Sequence, residues 1–145
     1  MVHIDIFLVP ANNARSYHTL ITSGMNALPA NTADGEEEWR YTELLMYLPS
    51  TWDVSPAALE EPQNYWPLAW LRKLGRFPHE NKTWFGLGDT IPNGEPPKPI
   101  GDQTQLSNFV LLPFLHRYGF NDFLDKLDTA HFSDVLNLER ENMCG

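Results

Sequence analysis

The thirty residues from Tyr65 to Gly94, YWPLAWLRKLGRFPHENKTWFGLGDTIPNG, constrain the fold more than any other stretch. They hold three of the five tryptophans and pass from helical spacing through an extended run into a turn. Trp66, Trp70, Leu74 and Phe77 recur at i, i+4, i+8 and i+11, one apolar stripe of a helix, while Arg72, Lys73 and Arg76 fall mostly on the other side. The spacing predicts a helix over 65–77. Asn64 stands at its N-cap, Pro67 sits in its first turn, where a missing N–H has no intrahelical partner, and Pro78 biases Phe77 away from the helical region and ends it. On the residues alone the stripe, Phe77 included, reads as core, and each buried tryptophan contributes roughly 4 to 6 kcal/mol in gross transfer terms.

The rest reads as sheet packed on that helix. Val2 to Val9 alternates, with Val2, Ile4, Ile6 and Leu8 on one face, which predicts a half-buried strand. Pro10-Ala11-Asn12-Asn13 breaks it, and Tyr17 to Thr22 returns as an antiparallel partner. Residues 25–38 have no periodicity and carry the acidic run Asp34, Glu36, Glu37 and Glu38, so they form a surface loop. Trp39 to Leu48 is apolar on both faces, as a central strand must be, and it carries Glu43 in its middle. After an irregular crossover with Trp52 and the helix come a short strand over Thr83–Leu87, a turn at Ile91-Pro92-Asn93-Gly94, a proline-rich loop over 95–105 and a strand over Leu106–Leu112. Phe120, Phe123, Leu124 and Leu127 give a weak helical pattern. The expectation is an α+β fold: a mixed, mainly antiparallel sheet of about five strands, one main helix packed on it and a short C-terminal helix, in a single domain over 1–145.

With 19 acidic against 10 basic residues the formal net charge is −9, and a negative surface is no match for nucleic acid or an anionic membrane. A basic protein or peptide is the better electrostatic partner. The one cysteine, Cys144, has no internal partner, and no apolar run approaches the roughly 18 residues of a membrane span. The N-terminal MVHIDIFLVPANNA lacks a basic start and carries His3 and Asp5 inside its apolar run, unlike a signal peptide, so a cytoplasmic protein is expected. No spacing among the five histidines resembles a zinc signature, and no metal or cofactor is expected. No serine sits in a nucleophile elbow, Cys144 has no neighbour to lower its pKa, and no helix follows Gly86-Leu87-Gly88 to make a phosphate loop. A Glu43/Asp89 carboxylate pair facing one cleft is the alternative that would give a ligand-binding or hydrolytic domain.

Five short blocks nevertheless agree with one family. Thr22-Ser23-Gly24-Met25, Arg40-Tyr41-Thr42-Glu43-Leu44, the run from Trp66 through Pro78-His79-Glu80, Thr83-Trp84, and Thr90-Ile91-Pro92-Asn93-Gly94 occur in an order that resembles the bacterial branch of the Suppressor of fused domain family. The resemblance covers most of residues 2 to 113, and the tail from Leu124-Asp125-Lys126 through Ser133-Asp134-Val135 is similar to the end of bacterial members. It implies a non-enzymatic protein-binding domain, since eukaryotic members bind a short peptide as an added strand with aromatic and acidic contacts and bacterial members are linked to toxin neutralisation. Phe77 stands where the peptide site has a tyrosine, and Asp89, twelve residues on, keeps its aspartate, where many bacterial members have histidine. A second acidic contact falls near Phe114, so the carboxylate clamp is half present and Gli-like recognition is not expected. Partner-binding residues on this reading are Phe77, Asp89 and Glu43 with the acidic Asp34, Glu36, Glu37 and Glu38. Compared with the family, the chain is shortened at its N-terminus and between Pro113 and Tyr118. That predicts an open sheet edge or apolar patch near Val110 to Leu115, covered by a partner or by a second copy in a homodimer.

Overall fold

A computed structural model describes residues 2–86, 88–113 and 135–139. Its elements are β1 (Asp5–Val9), β2 (Tyr17–Ser23), β3 (Thr42–Pro49), α1 (Pro62–Glu80), β4 (Thr90–Pro92), β5 (Asn108–Pro113) and β6 (Val135–Glu139). The six strands form one sheet in the order β1-β2-β3-β6-β5-β4. Every neighbouring pair is antiparallel except β5 and β6, which run parallel. The fold is α+β, with a mixed, mainly antiparallel sheet and one main helix.

Period-two patterning explains the first half of the sheet. Val2 and Ile4 are buried, and Ile6 and Leu8 lean on the same core, while Phe7 and Val9 face out from β1. β3 is buried on both faces from Thr42 to Leu48, as its apolar run Leu44–Leu48 requires of a central strand. α1 packs across β1, β2 and β3, with Leu71 and Leu74 meeting Leu20, Leu44 and Met46 in the core.

The helix is longer than its stripe predicts, and its boundaries differ for local reasons. It begins three residues earlier because Pro62 occupies the first helical position, where a missing N–H costs nothing, and Glu61 is the N-cap. Asn64 instead donates its side-chain amide to Ala58 O at 3.2 Å. Pro67 and Pro78 both lie inside it. Pro78 gives up its own bond to the Leu74 carbonyl, and the last turn is closed past it by Asn81, whose backbone and side-chain N–H groups both donate to Phe77 O. The buried arc is centred on Leu71, Leu74, Gly75 and Pro78. At 100° per residue this puts Trp70 and Phe77 on its flank, so Trp70 is half-buried and Phe77 is 39% exposed rather than core.

Three further expectations are corrected. Residues 83–86 are irregular, and the fourth strand is Thr90–Pro92, inside the stretch expected to turn. Gly88 N–H donates to Leu111 O and Leu111 N–H to Asp89 O, so pairing with β5 starts only there. Pro92 is tolerated because β4 is an edge strand. The sheet of about five strands is present with six members, and β5 is paired with β4 over Asn108–Val110 and with β6 over Leu111–Pro113, so among the described residues it is an interior strand and not an open edge. Among the described residues the edges are β1 and β4. Phe114, Leu115, the pattern at Phe120 to Leu127, the Leu124–Asp134 part of the tail and Cys144 lie outside the described residues. Among the described residues, no helix is long and apolar enough to cross a membrane.

Candidate functional site

The C-terminal end of α1 carries the most exposed aromatic of the helix. The Phe77 ring stacks on Phe85, centroids 5.7 Å apart and planes 6° from parallel, and Phe85 is itself 4% exposed. A buried ring thus serves as a rigid seat for an exposed one. One residue further, Gly86 N–H donates to Asp89 Oδ2 at 2.8 Å, and Asp89 N–H returns a bond to Gly86 O at 3.2 Å. Asp89 therefore closes a turn, as aspartate commonly does, while staying exposed at the start of the edge strand β4. The chain brings Phe77 and Asp89 to one neighbourhood through Phe85 and Gly86.

The acidic run approaches the same end of the molecule. Asn31 donates its side-chain amide to Lys82 O at 2.9 Å and its backbone N–H to Thr83 O at 3.3 Å, and Ala30 N–H donates to Arg40 O at 2.7 Å. These bonds pin both ends of the loop beside the exit from α1. Asp34 can then lie at most about 10 Å from Asn31 along the chain. Asp34, Glu37 and Glu38 are exposed and Glu36 is half-buried. The backbone N–H groups of Glu37 and Gly35 hold the Glu37 carboxyl below its ordinary value, so it is ionised at neutral pH.

Glu43 is placed differently. It is 0% exposed, and its oxygens accept from the Thr22 hydroxyl at 2.6 Å and from the N–H groups of Gly24 at 2.9 Å and Asn26 at 3.0 Å. A carboxylate held this way is an internal anchor and presents nothing at the surface. Nor does it pair with Asp89: β6 and β5 stand between β3 and β4, three inter-strand spacings or about 14 Å. That exceeds the reach of roughly 10 Å or less over which two carboxyls share a reacting group.

His18 and His79 are likewise committed to the scaffold. His18 accepts the Ala11 N–H on Nδ1 at 2.9 Å and donates from Nε2 to Trp52 O at 3.0 Å, and His79 Nε2 donates to Met25 O at 2.9 Å. His3 and Asp5 form an exposed pair 3.0 Å apart. No group of three or more His, Cys, Asp or Glu that could hold a metal occurs among the described residues. Reading the sequence missed Phe85 as the seat of Phe77; an aromatic two residues past Thr83 looked like one face of a strand.

Comparison with known proteins supplies one match. The family model described as Suppressor of fused protein (SUFU) aligns with residues 1–131. No curated protein and no solved structure matches the chain.

Proposed function

The chain belongs to the Suppressor of fused family, and from that premise we propose that it is a non-enzymatic interaction domain that holds a basic protein against the Phe77–Asp89 surface. The partner is a toxin, which the domain neutralises in the cytoplasm. The observation that carries this reading is the exposed Phe77 ring seated on Phe85 beside the Asp89 turn. Exposed aromatics on a rigid support are what interface hot spots use, and the acidic loop pinned nearby adds long-range attraction for a basic surface. The edge strand β4 begins at the residue after Asp89, so an extended segment of the partner has backbone groups to pair with. A hydrolytic reading through Glu43 and Asp89 lacks geometric support, because Glu43 is buried and its oxygens are committed.

The test is co-expression with the product of the adjacent reading frame. A stable complex and rescue of growth are expected, with both lost in Phe77→Ala and Asp89→Ala. A complex that forms equally well with both variants would place the contact elsewhere.

A further inference from the structure

A cavity of about 550 Å³ lies between the start of α1 and the loop that leads into β5, with Trp52, Gln63, Trp66, Asp102, Thr104 and Gln105 in its walls. Those walls are held independently of any ligand. Ile100 N–H donates to Leu106 O at 2.8 Å and closes the loop, Trp70 Nε1 donates to Ile100 O at 2.7 Å, and Trp52 Nε1 donates to Asn64 O at 3.0 Å. Trp52 and Trp66 meet edge-to-face with centroids 5.6 Å apart. Gly101 lies flat against the Trp66 ring, where a Cβ would stand 2.6 Å from Cγ, so no other residue fits. Gln103, also in the wall, holds a left-handed φ of 65°, a conformation uncommon for a non-glycine residue.

What the lining contains and lacks defines the ligand. Among the described residues no lysine, arginine or histidine lines it and Asp102 is acidic, so an anion finds no counter-charge there. The Gln63 and Gln105 amides and the Thr104 hydroxyl can donate and call for an acceptor, which a simple cation lacks. The amides of Gln63 and Gln105 and the Asp102 carboxylate would lose water to an apolar ligand with nothing in return. The ligand must donate to a carboxylate, accept from amide N–H and hydroxyl groups, and offer an apolar face to half-exposed Trp52. A hydroxyl-bearing ring does all three. A peptide segment carries only one donor and one acceptor per residue on its backbone, and its apolar side chains would find few apolar neighbours here. We propose that this cavity is a binding site for a neutral saccharide of one or two rings.

The test is tryptophan fluorescence of the full chain titrated with glucose, N-acetylglucosamine, maltose and cellobiose, with inorganic phosphate and an acetylated glutamine amide as competing chemistries. At least one sugar is expected to give a saturable change and to raise the melting midpoint. Asp102→Ala, an exposed position, should leave the unliganded midpoint unchanged and weaken that binding about tenfold. Saturation by none of the four sugars, saturation only by phosphate or the amide, or unchanged affinity in Asp102→Ala would each overturn the assignment. The site is distinct from the partner surface: Trp66 and Phe77 are eleven helical steps apart, about 16 Å. Phe77→Ala should leave sugar binding as it was.

Discussion

The Thr22 hydroxyl donates to Glu43 Oε2 at 2.6 Å while it accepts the Leu44 N–H at 2.7 Å, and both residues are 0% exposed. The other Glu43 oxygen takes the N–H groups of Gly24 and Asn26, and His79 Nε2 fastens the end of α1 to the carbonyl of Met25 between them. Three of the five blocks on which the family resemblance rests, 22–25, 40–44 and 78–80, therefore meet at one buried lock. It ties the β2 exit, the central strand and the helix together, and so fixes the direction in which α1 delivers Phe77.

Removing the carboxylate should test the lock directly. Glu43→Ala leaves the part-buried Gly24 and Asn26 N–H groups without their acceptor and the Thr22 hydroxyl with only its longer contact to Leu44 O at 3.3 Å, and a loss of about 3 kcal/mol is expected in denaturant melts. Glu43→Gln keeps an acceptor for Gly24 and Asn26 and should cost about half as much. Equal stability of wild type and Glu43→Ala would show that the bonds carry no net energy.

Trp70 is half-buried rather than core, yet it does two things at once. Its ring packs at 5.1 Å on Phe109 and its N–H holds Ile100 O. Trp70→Ala should cost about 3 to 5 kcal/mol, and Trp70→Phe about 1 to 1.5 kcal/mol, since it loses mainly the hydrogen bond. A loss below about 1 kcal/mol for the alanine variant would remove Trp70 from the support of the loop.

Legibility in the sequence followed the range of the interaction. Period-two alternation in Val2–Leu8 and the doubly apolar Leu44–Leu48 located two strands, because each face is set by neighbours in the chain. The helix was visible, but its buried face was displaced, because that face depends on which side Gly75 lets approach Ile4, a contact distant in sequence. Val135 to Glu139 went unread despite its short alternation, and its pairing with β3 is the longest-range in the sheet. At the candidate site, Phe77 and Asp89 were singled out by resemblance, and both are exposed. The burial of Glu43 was not, since a carboxylate in a central strand reads the same whether it faces water or three donors.

Tyr47 gives the stability a sign with pH. Burial, and after it the neighbouring Tyr17 phenol 4.8 Å away, raise its pKa well above the ordinary 10.0. A group raised on folding stabilises the protein fully below its unfolded value and loses that contribution as pH climbs beyond it. Stability should thus hold to about pH 10 and fall above it, and Tyr47→Phe should flatten the fall. An alkaline limb identical in the variant would assign the loss to other groups.

Attraction by the acidic loop should appear in the rate of association. With Asp34, Glu37 and Glu38 exposed beside the α1 exit, a basic partner is steered over a Debye length of about 8 Å at physiological ionic strength. The on-rate should fall as salt rises, and neutralising these three residues should remove most of that dependence. A rate independent of salt would take the loop out of docking.

Phe77 allows folding and binding to be separated. Its ring is 39% exposed and rests on Phe85, which stays covered mainly by other parts of the core. Phe77→Ala should therefore cost only about 1 kcal/mol of stability, well below the cost of truncating a fully buried aromatic. If the ring is a hot spot, the same variant should lose about 2 kcal/mol or more of binding energy, some thirtyfold in affinity. Phe77→Tyr keeps the stack on Phe85 and should retain both. Calorimetry of the three proteins with the purified partner decides the matter: a Phe77→Ala variant that binds at wild-type affinity would leave the exposed ring without a role in recognition.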